Sequence, residues 1–177
     1  MLRALTPDYL FDKFDDITPE FLLERGCRFL FSDVDNTLAP YETAEPDERI
    51  RRWLDSLRDA GIEVVFVSNN DSGRLELFNR SLGFRYYANC KKPSRKRMRK
   101  ALEEMGALPE NTAMLGDQIF TDVWVAKRLS LSFAMLVPPI RDKRTPLFRF
   151  KRALEKPVLW HYHRMQRKTQ TKTEIKK

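Results

Sequence analysis

The chain has 177 residues, of which 42% are hydrophobic, and a formal net charge of +8, which is enough apolar material for one packed domain. Its two cysteines, Cys27 and Cys90, lie far apart and in no close metal-binding spacing, which argues against a disulfide framework or a zinc site and favours a reducing, intracellular setting. The first residues lack the features of a signal peptide, and no apolar run approaches the roughly 20 residues that cross a bilayer, so we expect a cytoplasmic protein, either soluble or peripheral on the inner membrane face.

The first half of the chain alternates helix and strand signals. Thr18 can cap a helix that begins at Pro19, a residue suited to the first helical position. Residues 28–32 then predict a strand. Residues 45–47 open a second predicted helix, whose apolar residues follow helical spacing and which Gly61 ends, and the β-branched run 62–67 predicts a buried strand after it.

The same alternation continues in the second half. A third helix ends at Gly83, and a short strand comes next at residues 84–88. A very basic helix leads to the predicted strands 112–115 and 132–137. Five alternations of strand and helix predict an α/β fold: a doubly wound, three-layer, Rossmann-like domain with a mostly parallel five-stranded sheet and helices on both faces.

The positive charge belongs to the C-terminal segment. Residues 141–177 hold 13 Lys or Arg and 3 Asp or Glu, whereas residues 1–140 hold 20 and 22. Such a segment suits a polyanion, either nucleic acid or an anionic membrane, and is equally consistent with a solvated tail. We assign residues 1–165 to a single domain and residues 166–177 to a basic, disordered tail.

Residues 147–162 are aromatic and basic, and two arrangements fit them. The segment can close the domain as a helix packed on its surface, although Pro157 would kink or end that helix. Alternatively, its aromatic side chains can lie at a membrane interface. We favour the closing helix. The packed residues would be Phe148, Phe150 and Leu154, and the membrane-facing ones Phe148, Phe150, Trp160 and Tyr162.

An acidic pair, Asp33 and Asp35, directly succeeds the first predicted strand. Because the two residues are two apart in an extended segment, their side chains project to the same side. The carboxyl end of a strand is where open α/β proteins place reactive groups. Two carboxylates held so close repel each other, so the pair predicts a divalent metal ion, a shared proton, or both between them.

Three further polar clusters come after later strands of the predicted sheet. Ser68 and Asn69 come after the second strand, Lys92 after the third, and Asp117 with Asp122 after the fourth. The carboxyl ends of parallel strands meet at one edge, so we expect all four clusters to converge. Carboxylates suit Mg²⁺, whereas hydroxyl, amide and ammonium groups suit phosphate oxygens.

Together the four clusters resemble the motifs of haloacid dehalogenase (HAD) superfamily phosphatases. The matching runs are Asp33 to Thr37, Ser68 with Asn69, Lys92 with Pro93, and Gly116 to Asp122. Residues 35–38 and 116–122 further resemble the YqeG-type phosphatases of subfamily IIIA, which are related to phosphatidylglycerophosphate phosphatases. The resemblance covers about residues 5–155.

The resemblance implies a role for each matched residue. Asp33 would attack phosphorus and become an aspartyl phosphate, while Asp35 would protonate the leaving alcohol and then activate water. The phosphoryl group would be bound by three polar residues: Ser68, Asn69 and Lys92. Magnesium would be held by oxygen atoms of Asp33, Asp35 through its backbone carbonyl, Asp117 and, as a supporting ligand, Asp122.

The spacing of the motifs leaves no room for the cap domain that covers the site in many relatives. An open site suits a phosphate on something large: a lipid headgroup such as phosphatidylglycerophosphate, a protein or a nucleic-acid end, although an oligomer could supply a lid. Within the superfamily that the chain resembles, a carboxylate at the position of Asp35 favours phosphate ester hydrolysis. The alternatives are a phosphatase for a soluble phosphosugar, nucleotide or phosphoprotein, and a non-catalytic scaffold that binds nucleic acid, against which the complete acid set argues.

Overall fold

A parallel sheet of six strands organises the molecule, for which a computed structural model describes residues 4–141 and 153–166. The strands are β1 (Tyr9–Leu10), β2 (Phe29–Ser32), β3 (Glu63–Val67), β4 (Arg85–Tyr87), β5 (Thr112–Gly116) and β6 (Phe133–Leu136). Their spatial order is β1-β6-β5-β2-β3-β4, and every pair of neighbours is parallel. The α/β, Rossmann-like prediction is confirmed.

Helices α1 to α5 join successive strands, and α6 follows β6. They are α1 (Pro19–Leu23), α2 (Glu48–Asp59), α3 (Ser72–Asn79), α4 (Lys96–Met105), α5 (Trp124–Leu129) and α6 (residues 153–166). Thr18 caps α1 as its sequence predicts, since its Oγ1 accepts a hydrogen bond from the N–H of Phe21 at 3.2 Å. Short helical turns are also present at Phe14–Asp16, Pro109–Asn111 and Ile119–Val123.

The sheet has one strand more than the five that the sequence predicts. The additional strand, β1, comprises only two residues and pairs at the sheet edge with Met135 and Leu136 of β6. Two residues cannot show the alternation that identifies a strand, so its existence depends on the partner strand rather than on its own pattern. The five predicted strands all form, with bounds that differ by a residue or two.

Two hydrophobic clusters cover the two faces of the sheet. Along β2, Leu30 points into the first cluster and Phe31 into the second, as strand alternation requires. The first cluster receives the apolar side of α2, including Trp53 and Leu57. The second receives Met98 of α4 together with residues of α5. Helices therefore sandwich the sheet and leave its carboxyl edge for the site.

The C-terminal helix α6 packs on the second cluster. Val158 is buried there, and the helix continues through Pro157, the residue predicted to kink or end it. Leu154, predicted to pack on the domain, is instead 47% exposed, because the buried side of the helix carries Glu155 and Val158. Phe148, Phe150 and the predicted tail beyond residue 166 lie outside the described residues.

The helices of residues 4–141 and 153–166 include none that combines the length and the apolar character needed to cross a membrane.

Candidate active site

The site lies beside β2, the strand at which the order of strands in the sheet reverses direction. Strand β2 is flanked by β3 on one side and by β5 on the other, and Ser32 pairs in register with Phe66 and Leu115. The residues just beyond these strands therefore emerge side by side at the carboxyl edge. In doubly wound sheets, this reversal opens the crevice in which ligands bind.

Three buried carboxylates meet at this edge. Asp33, Asp117 and Asp122 each contribute an oxygen, and the three oxygens lie within 4.8 Å of one another. All three side chains are almost inaccessible to solvent. Like charges at this separation in a buried position repel strongly, so the cluster needs compensating positive charge.

Lys92 supplies part of that charge from the loop after β4. Its Nζ lies 2.8 Å from Asp33 Oδ1 and 2.6 Å from Asp122 Oδ1, and it also donates to the carbonyl oxygen of Val67 at 2.8 Å. Burial alone would lower the pKa of Lys92, but attraction by Asp122 and Asp33 outweighs it and raises the pKa above its usual value. Lys92 is therefore a fixed cation.

One ammonium does not neutralise three carboxylates. Burial raises the pKa of Asp33 to about 7, because the loss of hydration outweighs the attraction of Lys92 and is reinforced by repulsion from Asp122. A divalent cation among the three oxygens would remove this penalty. The donors are all hard oxygen atoms, the type that Mg²⁺ prefers, so these residues fit a magnesium ion.

The turn after β2 orients the proposed nucleophile. Thr37 Oγ1 donates to Asp33 Oδ2 at 3.2 Å, so the Asp33 carboxylate is held by Thr37 on one oxygen and by Lys92 on the other. Asn36 adopts the left-handed conformation, with φ of 64°, and its N–H donates to the carbonyl oxygen of Ala39 at 2.7 Å. Asn tolerates this conformation better than most residues, which suits it to this turn.

The Asp35 side chain belongs to a separate polar group. Asn70 Nδ2 donates to its Oδ2 at 2.5 Å, and Arg74 Nε donates to its Oδ1 at 3.0 Å. Asp35 and Arg74 are both about nine-tenths buried at their side chains. The two predicted acids of this pair thus have different environments, Asp33 among the carboxylates and Asp35 against an arginine.

Ser68 and Asn69 reach the same edge from β3. Ser68 is buried, and its Oγ accepts from the backbone N–H of Asn70 at 3.0 Å. The Asn69 amide makes two hydrogen bonds to the backbone of Lys92: its Oδ1 accepts from the Lys92 N–H at 2.6 Å, and its Nδ2 donates to the Lys92 carbonyl oxygen at 3.1 Å. Asn69 therefore fixes the loop that carries Lys92, and phosphate binding by Ser68 and Asn69 stays a prediction.

Residues 116–123, here called the metal loop, position Asp117 and Asp122. Asp122 Oδ2 accepts from the Gln118 N–H and from Thr121 Oγ1, each at 3.2 Å. A Cβ atom at Gly116 would lie 2.3 Å from Asp122 Cγ, far inside van der Waals contact. Glycine is required there because the Asp122 side chain packs directly on its backbone.

Sequence reasoning assigned no role to several residues of this site. Asn70 and Arg74 come soon after the Ser68–Asn69 cluster, and their polar character beside it is the signal that could have identified them. Thr37 lies within the first motif, yet only the structure gives its contact with Asp33. Glu155, whose Oε1 accepts a hydrogen bond from the N–H of Ile119 in the metal loop at 2.9 Å, lies far from every motif in the sequence, and no sequence signal connects it to that loop.

Comparison with known proteins places the chain among phosphatase-like sequences. Residues 8–129 match the model of a family described as haloacid dehalogenase-like hydrolases. The chain is 32% identical over 157 residues to "Probable phosphatase YqeG" of Bacillus subtilis (strain 168), an alignment that covers 89% of this chain and 91% of that protein.

Solved structures share the fold. The cobalt-bound deoxy-D-mannose-octulosonate 8-phosphate phosphatase (YrbI) from Haemophilus influenzae has a TM-score of 0.54 and 17% identity, with 80% of this chain and 92% of that chain covered. An uncharacterized protein from Listeria monocytogenes serotype 4b has a TM-score of 0.53 and 14% identity, with 67% and 84% covered. At these identities, the likeness concerns the fold alone.

Proposed function

The chain belongs to the haloacid dehalogenase-like hydrolase family and is a phosphatase of that family, and we propose that it hydrolyses phosphomonoesters with Mg²⁺ through a phosphorylated Asp33. The observation that carries the proposal is the buried cluster of Asp33, Asp117 and Asp122 around Lys92 at the carboxyl edge of the sheet. This arrangement combines a nucleophile, a fixed cation and oxygen ligands for a metal ion.

In the first half of the proposed reaction, an oxygen of Asp33 forms a bond to phosphorus while the bond from phosphorus to the ester oxygen breaks. Lys92 and Thr37 orient the Asp33 carboxylate for this attack. Asp35 gives a proton to the departing alcohol oxygen. Mg²⁺, which would be held by Asp33, Asp117, Asp122 and the backbone carbonyl of Asp35, would supply positive charge that offsets the repulsion between the nucleophile and the phosphate.

In the second half, Asp35 takes a proton from a water molecule, whose oxygen attacks phosphorus. The bond from phosphorus to Asp33 breaks, inorganic phosphate leaves, and the Asp33 carboxylate is restored. Asn70 and Arg74 define the position from which Asp35 would act. Splitting the displacement in this way lets one carboxyl group serve as acid and then as base.

The decisive experiment measures phosphate release from p-nitrophenyl phosphate with and without Mg²⁺. We expect magnesium-dependent turnover that Asp33→Asn abolishes, because an amide is a poor nucleophile. Asp59→Asn is the matched control, since Asp59 ends α2 at the opposite edge of the sheet and is exposed. Turnover that survives Asp33→Asn would defeat the proposed mechanism.

We propose that the substrate is large or membrane-borne, such as a phospholipid headgroup of the phosphatidylglycerophosphate type. Within residues 4–141, only residues 33–47 separate β2 from α2 and only residues 88–95 separate β4 from α4, which leaves the crevice without a cap. An uncapped crevice can accept a phosphate that protrudes from a surface. We propose, on the same grounds, that the chain is related to the phosphatidylglycerophosphate phosphatases.

The outer side of α6 supports a membrane location. Trp160 is 63% exposed, the Arg164 guanidinium lies 5.3 Å from its ring centroid, and Met165 is exposed nearby. Aromatic and basic side chains together suit an anionic lipid surface, where each Lys or Arg is worth about 1 kcal/mol. The basic residues of the C-terminal segment would add to this attraction.

Two measurements test the substrate proposal. Turnover of phosphatidylglycerophosphate in vesicles should exceed turnover of a soluble panel of phosphosugars, nucleotides and phosphopeptides, and the reverse ranking would establish the soluble alternative.

The second measurement is flotation of the protein with anionic vesicles. The bound fraction should fall when residues 167–177 are deleted, and it should fall further with Trp160→Ala. Equal flotation of all forms would remove the C-terminal segment from membrane binding. Salt-sensitive RNA binding without turnover would instead favour a nucleic-acid scaffold.

A further inference from the structure

A buried carboxylate from the C-terminal helix reaches the metal loop. Glu155 of α6 is only 3% exposed, and its Oε1 accepts a hydrogen bond from the backbone N–H of Ile119 at 2.9 Å. Ile119 lies two residues after Asp117 and three before Asp122. Glu155 lies outside the residues 8–129 that match the family model.

The contact replaces a local helix cap. The turn Ile119–Val123 begins with an N–H that has no partner inside the turn, and such a group needs an acceptor from a side chain, water or a ligand. Gln118, the residue before the turn, makes no capping bond, and its amide instead lies 3.4 Å from Asp117 Oδ1. Glu155 provides the missing acceptor, and its negative charge suits the start of a helical turn.

Packing holds Glu155 in place. Val158, one helical turn later on the same side of α6, is buried in the second cluster, which also contains Ile119 and Val123 of the metal loop. The helix therefore contacts the metal loop through the Glu155–Ile119 hydrogen bond, and it places Val158 in the same apolar cluster as Ile119 and Val123. A carboxylate buried this deeply would be costly without such a partner.

We propose that Glu155 is a positioning residue for the metal loop and makes magnesium binding depend on the docking of α6. The magnesium part rests on the proposed function, whereas the effect on the loop does not. Loss of the cap would let the Ile119–Val123 turn shift, and with it the Asp122 carboxylate. Residues that orient metal ligands from outside commonly change metal affinity by about 10-fold to 100-fold.

The test compares Glu155→Ala and Glu155→Gln, of which the second keeps an acceptor without the charge. Hydrogen exchange in magnesium-free protein should accelerate in residues 117–123 in Glu155→Ala. The Mg²⁺ concentration for half-maximal turnover should rise about tenfold, and the Mg²⁺-induced increase in Tm at a fixed concentration should shrink. Turnover at saturating Mg²⁺ should stay within about twofold, because Glu155 does not touch the reacting groups. For each of these measurements, the value for Glu155→Gln should fall between those of wild type and Glu155→Ala. If the alanine variant fails to fold, the glutamine variant still provides the test.

Two controls separate positioning from general stability. Lys156→Ala changes the exposed neighbour on the same helix and should leave every measurement unchanged. Ile50→Val weakens the first cluster and should lower Tm without changing the Mg²⁺ requirement. Unchanged exchange in residues 117–123, or a fall in Tm without a higher Mg²⁺ requirement, would overturn the inference. If wild type shows no magnesium dependence, the proposed function fails, while the exchange measurement still decides whether Glu155 positions the loop.

Discussion

Lys92 and Asp122 form a buried ion pair, with Nζ and Oδ1 2.6 Å apart and both side chains 2% exposed. The same ammonium lies 2.8 Å from Asp33 Oδ1, so one cation joins the first and last polar clusters of the chain. Asp117 adds a third carboxylate to the group. The site is therefore held together by Lys92 and still has an excess of negative charge, which suits a divalent metal ion.

Lys92→Met should destabilise the protein when Mg²⁺ is absent. Removing one partner of a buried ion pair leaves an uncompensated charge, at a cost of about 3–5 kcal/mol. Urea unfolding in EDTA should show this loss, Mg²⁺ should restore part of it, and turnover should be abolished. Lys96→Met, at the exposed start of α4, is the control and should be nearly neutral. Equal stability of the two variants would contradict the role given to Lys92.

Gly116→Ala should disrupt the metal loop. The new Cβ would lie 2.3 Å from Asp122 Cγ, so the Asp122 side chain or the backbone must move, at a cost of about 1–3 kcal/mol. We expect a higher Mg²⁺ requirement in the turnover assay and a lower Tm. Gly73→Ala is the matched control: it lies in α3, its added Cβ would meet only Asp71 Oδ1, at 3.4 Å, and alanine favours helix. Similar effects of both substitutions would show that the Asp122 contact is unimportant.

Magnesium should stabilise the folded protein. An ion that binds only the folded state raises the free energy of unfolding by about 2.7 kcal/mol at 100 times its Kd. A thermal melt with increasing Mg²⁺ should therefore show a rising Tm, and EDTA should reverse the rise. Asp117→Asn should remove most of the effect because it deletes one of the three clustered carboxylates. A Tm that responds equally in wild type and Asp117→Asn would place the ion elsewhere.

Arg74→Met should slow turnover mainly through kcat. Arg74 Nε lies 3.0 Å from Asp35 Oδ1, so its loss frees the proposed proton donor from its position. General acid catalysis contributes about 10²-fold to 10⁴-fold, and it matters most for poor leaving groups. The loss should thus be larger for an alkyl phosphate than for p-nitrophenyl phosphate, with Arg74→Lys recovering part of it. Arg80→Met, an exposed position after α3, is the control. Equal losses for the two substrates would argue against action through Asp35.

Ionisation of the Cys27 thiol should lower the free energy of unfolding at high pH. Burial raises the pKa of its thiol to about 11 from an ordinary value of 9.0, so the folded state keeps a proton that the unfolded chain releases. Its contribution is complete below the unfolded pKa and declines as the pH rises from about 9 to about 11. Urea unfolding at several pH values should show a shallower decline for Cys27→Ala, although that variant is less stable at neutral pH. Identical slopes for wild type and variant would disprove the assignment.

Much of the fold arises from local pattern. The strands 28–32 and 62–67 were predictable because their apolar runs are bounded by helix signals and turns. By contrast, β1 has two residues and exists because β6 offers a partner edge. The course of α6 through Pro157 was also beyond sequence reasoning, since the burial of Glu155 and Val158 against the domain favours the helix despite the proline.

The sequence by itself determined which residues reach the carboxyl edge, because the order of strands and turns specifies the residues at the end of each strand. Asp33, Lys92 and Asp117 were identifiable on that ground. Only the tertiary structure decided their partners: Lys92 with Asp33 and Asp122, Asp35 with Arg74, and Ile119 with Glu155. The physical reason is that chain periodicity specifies the direction of a side chain, whereas a contact between residues tens of positions apart depends on strand register and helix packing.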